Sequence, residues 1–243
     1  MLARPGYRIH RCLGDSFSEL PTAGLDFIPL KLDLRDISCS VGAMPVALAL
    51  AQIQADLKAV SSALAAAGVP AKTINAIKTR ALRTGRKQGG EHATNRDSRW
   101  TLAPTHPQFG TEADCKAIFV RLCAQIFCFD NAPALPDPLK GHLEAHYMDG
   151  SPIAPGSHRD SLLLERFNFD EFLAEGLTPV HGHSLFHMGH EDPTLKPKHQ
   201  PHNIAWRTFR SNLIQGNMTL RESRVYFVKL ISRYFELGEI DIS

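Results

Sequence analysis

The residues of this chain best suited to chemistry lie in its C-terminal third. The run His187-Met-Gly-His190-Glu-Asp-Pro193 is followed by Asn203 in Asn-Ile-Ala-Trp and by Asn212 in Ser-Asn-Leu-Ile-Gln. Asn203 comes thirteen positions after His190, and Asn212 nine after that. Imidazole and carboxamide groups are side chains that hydrolysis of an anion such as a phosphodiester could use. The ester is an anion and resists anionic attack. A catalyst must activate water, neutralise charge growing on the phosphate and stabilise the leaving 3′-oxygen. A neutral imidazole near pH 7 can take a proton from water. A divalent cation can supply charge stabilisation. A hard cation prefers oxygen donors, and the asparagine amide oxygen is one. A helix N-terminus also favours phosphate oxygens.

Local patterning indicates which elements carry these groups. Ser184 to His190 is apolar enough for a strand, with Leu185, Phe186 and Met188 before a polar end. A polar loop follows, and His202 to Phe209 reads as a second strand. Ser211 opens a short helical turn broken at Gly216-Asn217. Thr219-Leu-Arg-Glu222 is a capping-box signature for a long final helix with Leu220, Phe227, Leu230, Ile231 and Tyr234 on one side.

This order and spacing resemble the HNH, or ββα-metal, nucleases over about 50 residues, roughly 183–235. The resemblance implies catalytic roles for His190, Asn203 and Asn212. His190 takes the general-base position ahead of the proline. Asn203 takes the middle position, which ties the loop between the strands and helps orient the histidine. Asn212 takes the last position, which binds metal at the start of the helix. The sequence departs from the pattern at Gly189, where many relatives place a metal-binding aspartate. The Gly-His pair is more like the branch with a D-R-G-H element. That branch implies Asn212 as principal ligand to a mostly hydrated ion, Mg²⁺ (or Mn²⁺) in preference to Zn²⁺. Glu191 and Asp192 are carboxylates near enough in sequence to reach the ion or its waters.

Plainer readings stand beside these. His190 can be an incidental polar strand residue, Asn203 a turn residue and Asn212 a helix cap. His181, His183, His187, His199 and His202 fit no zinc spacing and read as phosphate contacts or surface residues. Arg207 and Arg210 can clamp phosphate or form salt bridges.

Charge points to a polyanion through its distribution. The net charge is only +2. Residues 72–99 carry eight basic side chains against Glu91 and Asp97, and residues 194–233 carry eight against Glu222. Two basic segments on a near-neutral chain suit a polyanion or a pair of solvated helix faces. The five cysteines form no C-x-x-C pair, which excludes the usual zinc ribbon. The start of the chain lacks an apolar signal segment, and no stretch is long enough to cross a bilayer. A soluble, cytoplasmic protein with free thiols is expected.

The remaining elements read as follows. Residues 25–34 alternate from Pro29 on, as in a strand or extended arm. Met44 to Ala67 reads as a helix ending at Gly68, and Ala71 to about Arg83 as a second. The second runs into a basic, glycine-containing stretch at 85–90, so that Arg80, Arg83, Arg86 and Lys87 make a candidate DNA-binding surface or a plain solvated hairpin. Residues 85–111 look loop-like, and Glu112 to Phe127 helical. Prolines and glycines within 132–138 and 149–156 suggest a domain boundary or long connection, and Asp160 to Gly176 a further helix.

The expected fold class is α+β, with a mainly helical recognition region over 1–158 and a ββα-metal nuclease domain with a long final helix over 159–243. The expected function is a metal-dependent endonuclease of double-stranded DNA, sequence-specific like a type II restriction endonuclease. Arg80, Arg83, Arg86, Lys87, Arg207 and Arg210 are its candidate DNA contacts. Palindromic cutters of that class commonly act as homodimers. The alternatives are a non-specific nuclease of an antiphage or toxin system, and a non-catalytic DNA-binding protein that keeps the finger as scaffold.

Overall fold

A computed structural model describes residues 49–85, 88–89, 92–93, 96–178 and 184–240, all within the unit Val41–Ser243. The expected extended arm at 25–34, the start of the first helix at Met44, and Cys12, Cys39, Arg86, Lys87, His181 and His183 lie outside the described residues. Among the described residues, seven α-helices and two small antiparallel sheets make the fold α+β and mostly helical.

Helix α1 (Leu50–Ala66) buries Ile53, Leu57, Val60 and Leu64, one stripe at helical spacing. It stops where Gly68 takes a φ of 88° and the Val69 N–H donates back to the Leu64 carbonyl at 3.0 Å. Helix α2 (Ala71–Leu82) follows Pro70, buries Ile74, Ile77, Ala81 and Leu82, and leaves Lys72 and Arg80 exposed. The polar stretch after it holds a two-residue hairpin, β1 (Gln88–Gly89) with β2 (His92–Ala93), and a 3-10 turn at Arg99–Thr101.

Helix α3 (Glu112–Ile126) is the centre of the core. The Thr111 hydroxyl caps it by accepting from the Asp114 N–H at 3.0 Å. Its buried residues, from Cys115 to Ile126, cover most of its circumference, the mark of a helix surrounded by protein. Helices α1 and α2 pack against it, as does α4 (Asp137–Tyr147). The prolines at 133, 136 and 138 read in the sequence as a break; they instead lead into α4. Pro138 sits in the first turn, where its missing N–H costs no helical hydrogen bond, and Leu143 and Tyr147 reach the core.

Helix α5 (Phe169–Leu177) is shorter than the expected helix from Asp160 to Gly176. Asn168 caps it, accepting from the Asp170 N–H at 2.8 Å and the Glu171 N–H at 3.2 Å. The preceding residues fold as a tight loop because the Asp160 carboxylate accepts from the Leu162 and Leu163 N–H groups at 2.8 Å. Leu164 then takes a φ of 60°, incompatible with a continuing helix.

The C-terminal hairpin pairs β3 (Phe186–His190) with β4 (Ile204–Thr208), antiparallel, with Phe186 opposite Thr208 and His190 opposite Ile204. His202 falls in a 3-10 turn ahead of β4 instead of within it. Helix α6 (Phe209–Gln215) follows at once and ends at Gly216, with a φ of 55°. Helix α7 (Leu220–Glu236) begins with the complete Thr219–Glu222 capping box. Only its first turns are covered. Leu230, Ile231 and Tyr234, on its apolar side, are exposed.

Hairpin and helices share one core. Phe129, at the end of α3, stacks on Phe167 with ring centres 5.1 Å apart and on Phe186 at 5.9 Å, and meets Trp206 edge-on at 6.4 Å. The Trp206 indole N–H donates to the Leu122 carbonyl at 2.8 Å, fixing β4 to α3. Phe129→Ala is expected to cost about 3–5 kcal/mol of stability, because it removes a ring that no neighbour can replace. The shift of the urea midpoint at unchanged m-value measures it.

Candidate functional site

Strand alternation sorts the hairpin into two faces. Phe186, Met188 and His190 look towards the core, with Trp206 opposite Met188. His187 and Gly189 look the other way, with Arg207 opposite His187. His190 is the last residue of β3, so its ring stands at the rim of the core. Its Nε2 is buried with no partner among the described residues, which leaves Nδ1 as the ring nitrogen that reaches solvent. Burial, and then the positive charges of Lys198 and Arg99, push the His190 pKa down to about 4. The ring is therefore neutral at physiological pH, the form that can accept a proton.

Two carboxamides hold the backbone around this ring. Asn203 is almost wholly buried. Its Oδ1 accepts from the Asp192 N–H at 2.7 Å, and its Nδ2 donates to the carbonyls of Asp192 and Lys198, both at 2.8 Å. The Glu191 N–H donates to the Asn203 carbonyl at 2.9 Å. One side chain thus ties both ends of the loop between the strands. At the end of α6, Gln215 Nε2 donates to the carbonyls of His190 (3.2 Å), Glu191 (3.0 Å) and Met218 (3.0 Å). Gln215 clamps the turn immediately after His190, a role that its place in the sequence does not announce.

Asn212 lies inside α6. The cap of that helix is Thr208, whose hydroxyl accepts from the Ser211 N–H at 3.1 Å, so Asn212 is no cap. Its side chain has no hydrogen-bond partner among the described residues. A methyl group placed on Gly189 would stand 2.9 Å from Asn212 Oδ1 and 2.6 Å from Arg207 Cγ. The amide oxygen therefore rests against the backbone of the residue preceding His190.

The same distances account for the glycine. Arg207 is fully buried and crosses this face of the hairpin. Its Nε donates to Asp160 at 3.3 Å and to Ser211 Oγ at 3.1 Å, and its Nη2 to Ser211 Oγ at 2.6 Å. Asp160 Oδ2 also accepts from the Thr208 N–H at 2.8 Å. Burial alone would raise the Asp160 pKa, but hydrogen bonds from Ser211, Leu163 and Thr208 and the Arg207 charge outweigh it and hold the carboxylate below its ordinary range. No side chain fits at 189 while the Arg207 stem occupies this space.

The other sequence candidates are scattered. Arg80, Arg83 and Arg210 are exposed, and Arg83 donates to Ser98 Oγ at 2.8 Å. Arg207, a candidate phosphate clamp, is sealed from solvent by its ion pair. The Glu191 carboxylate accepts from Ser161 Oγ at 2.6 Å, and Asp192 accepts from the Thr194 N–H at 2.8 Å. His187 packs its ring 5.1 Å from that of Phe209, and His199 is a core residue rather than a surface one. Among the described residues, no group of three or more His, Cys, Asp or Glu side chains is placed to hold a metal ion, and no helix is long and apolar enough to cross a membrane.

No protein-family model matches the sequence, and no curated protein matches it. One solved structure with partial likeness is a type II restriction endonuclease, at 18% identity and a TM-score of 0.44 over 54% of this chain. The match spans 55% of that protein's length, and similarity at this level carries no argument about activity.

The geometry generates two predictions. Gly189→Ala forces Arg207 or Asn212 to move and should destabilise by about 1–3 kcal/mol, as overpacking does; the urea midpoint reads it. The second concerns pH. Burial first, and nearby positive charge as well, lower His158 to about 4 and His199 to about 3 from 6.5. Between about pH 6.5 and 4 the unfolded chain binds protons that the folded one refuses, so these two groups make stability fall as pH drops through that window. The melting temperature against pH tests this. His158→Phe, at a position packed against the rings of both Phe129 and Phe167, should flatten the slope.

Proposed function

We propose that this chain is a metal-dependent endonuclease that hydrolyses phosphodiester bonds of double-stranded DNA at defined sequences, like a type II restriction enzyme built on an HNH-like finger. The observation that carries the reading is the meeting of Asn212 and β3: an amide oxygen with no partner among the described residues rests against Gly189, and the next residue, which ends the strand, is His190 with its neutral ring.

A divalent cation, Mg²⁺ or Mn²⁺, fits the residues present. Asn212 Oδ1 is a hard oxygen donor with no hydrogen-bond partner among the described residues, and glycine at 189 places no polar side chain beside it. One protein donor leaves the rest of the coordination shell to water, which suits Mg²⁺. When bound, such a cation stabilises charge on the scissile phosphate.

The chain's own groups do the rest. His190 Nδ1 takes the proton of the attacking water. Asn203 and Gln215 hold the main chain on both sides of that ring, so its position does not depend on a loose loop. Lys198 and Arg99, whose charges reach His190, also attract a phosphate to it. Exposed Arg80, Arg83 and Arg210, with Arg86 and Lys87 in the same basic stretch as the first two, take backbone phosphates. Arg207 belongs to the brace beneath Gly189. In this reading residues 159–243 supply the chemistry, residues 1–158 recognition, and two copies address two strands.

His190→Ala should lower cleavage of a long defined DNA by at least about 100-fold while leaving salt-dependent binding in place. EDTA should stop cutting, and Mg²⁺ or Mn²⁺ should restore it. Sequencing of the fragment ends should return one short motif. Full cleavage by His190→Ala would remove the base assignment, and binding without nicking under either metal would overturn the nuclease reading.

A further inference from the structure

His190 can act as a base at Nδ1 only when its own proton sits on Nε2, and that proton needs an acceptor. Nε2 is one of three buried polar atoms without partners in one neighbourhood, with His199 Nδ1 and Arg99 Nε. The two imidazole rings lie 6.4 Å apart, inclined at 64°. Arg99 acts electrostatically on both. Arg99 and His199 also grip consecutive carbonyls at the end of α2: Arg99 Nη2 donates to Arg80 at 3.4 Å, and His199 Nε2 to Ala81 at 2.7 Å.

The chemistry of each group sets a direction. A carbonyl only accepts, so His199 Nε2 carries the hydrogen, and Nδ1 of that neutral ring is an acceptor. Arg99 Nε only donates. Ring centres 6.4 Å apart keep the nitrogens of the two rings beyond direct hydrogen-bond distance and leave a separation that one water can bridge. Such a water would donate to His199 Nδ1 and accept from Arg99 Nε–H. Its second lone pair would be free to accept from the Nε2–H of His190.

We propose that His199 is a positioning residue for the nuclease centre: anchored on the Ala81 carbonyl, it receives the Nε2 proton of His190 through a water shared with Arg99. This holds His190 in the tautomer whose Nδ1 lone pair faces the substrate. The proposal rests on His190 being the base. It assigns to His199 the orienting task that a carboxylate performs in a Ser-His-Asp triad. It also explains why an imidazole sits in the core on an α2 carbonyl.

The test is the nitrogen signature of the rings in the full chain, labelled with ¹⁵N and free of metal, at pH 7.5. His190→Gln identifies the His190 signals. The expected result is a protonated Nε2 and an unprotonated Nδ1 for both His190 and His199. In His199→Phe the His190 signature should become a mixture of tautomers. Cleavage should then fall by about 10–100-fold, the range for losing a group that orients a working side chain, with DNA binding unchanged. His199→Gln, whose amide can donate to Ala81 and accept from the water, should recover most of both. A wild-type His190 protonated at Nδ1 overturns the proposal whether or not His199→Phe folds, as does an unchanged signature in that variant. The expected signature without any cleavage would sink the nuclease reading, and with it the catalytic purpose of the arrangement, while leaving the link between His190 and His199 in place. Cleavage with an Nδ1-protonated His190 would sink this proposal alone.

Discussion

Asp160 and Arg207 form a fully buried ion pair on which the arrangement of the C-terminal region turns. Removing two charges from water is costly, and mutual attraction offsets it only with further hydrogen bonds. Here the N–H groups of Leu162, Leu163 and Thr208 surround the carboxylate, and Ser211 receives the guanidinium. Those partners come from the loop before α5, the end of β4 and the start of α6. One carboxylate therefore fixes the entry to α5, the hairpin and the turn into α6 together. The spacing of Asn212 from β3 follows from that junction.

The elements legible in the sequence are those whose signals are local. The stripe of α1, the glycine that ends it, the capping box of α7 and the strand–loop–strand order ahead of α6 all depend on neighbours a few residues apart. Helix α4 was hidden because its opening prolines mark a break and a helix start alike. Helix α5 is shorter than local patterning suggests because Asp160 is engaged by Arg207 and by the N–H groups of its own loop. The order of His190, Asn203 and Asn212 could be read, as could the absence of a side chain at 189. The grip of Gln215 on three carbonyls, the burial of Arg207 and the place of His199 in the core depend on contacts distant in sequence. No spacing encodes them.

The electrostatics around His190 show a balance. Burial and two cations keep the ring neutral, and so available, but also make it a weak base on its own. An arriving phosphate brings the opposite charge. It offsets Lys198 and Arg99, so in the proposed chemistry the affinity of the imidazole for a proton rises when substrate is present. The same cations that weaken the free base help to seat the anion that restores it.

The crowding at Gly189 also bears on how this region can change by descent. An acidic side chain introduced there collides with the arginine stem, while shortening that arginine first leaves Asp160 sealed in without its counter-charge. Either order of mutation passes through a poorly folded intermediate. Only a coordinated exchange at 189, 207 and 160 opens the way, so in the proposed centre the packing beneath Gly189 leaves the Asn212 amide without a neighbouring carboxylate.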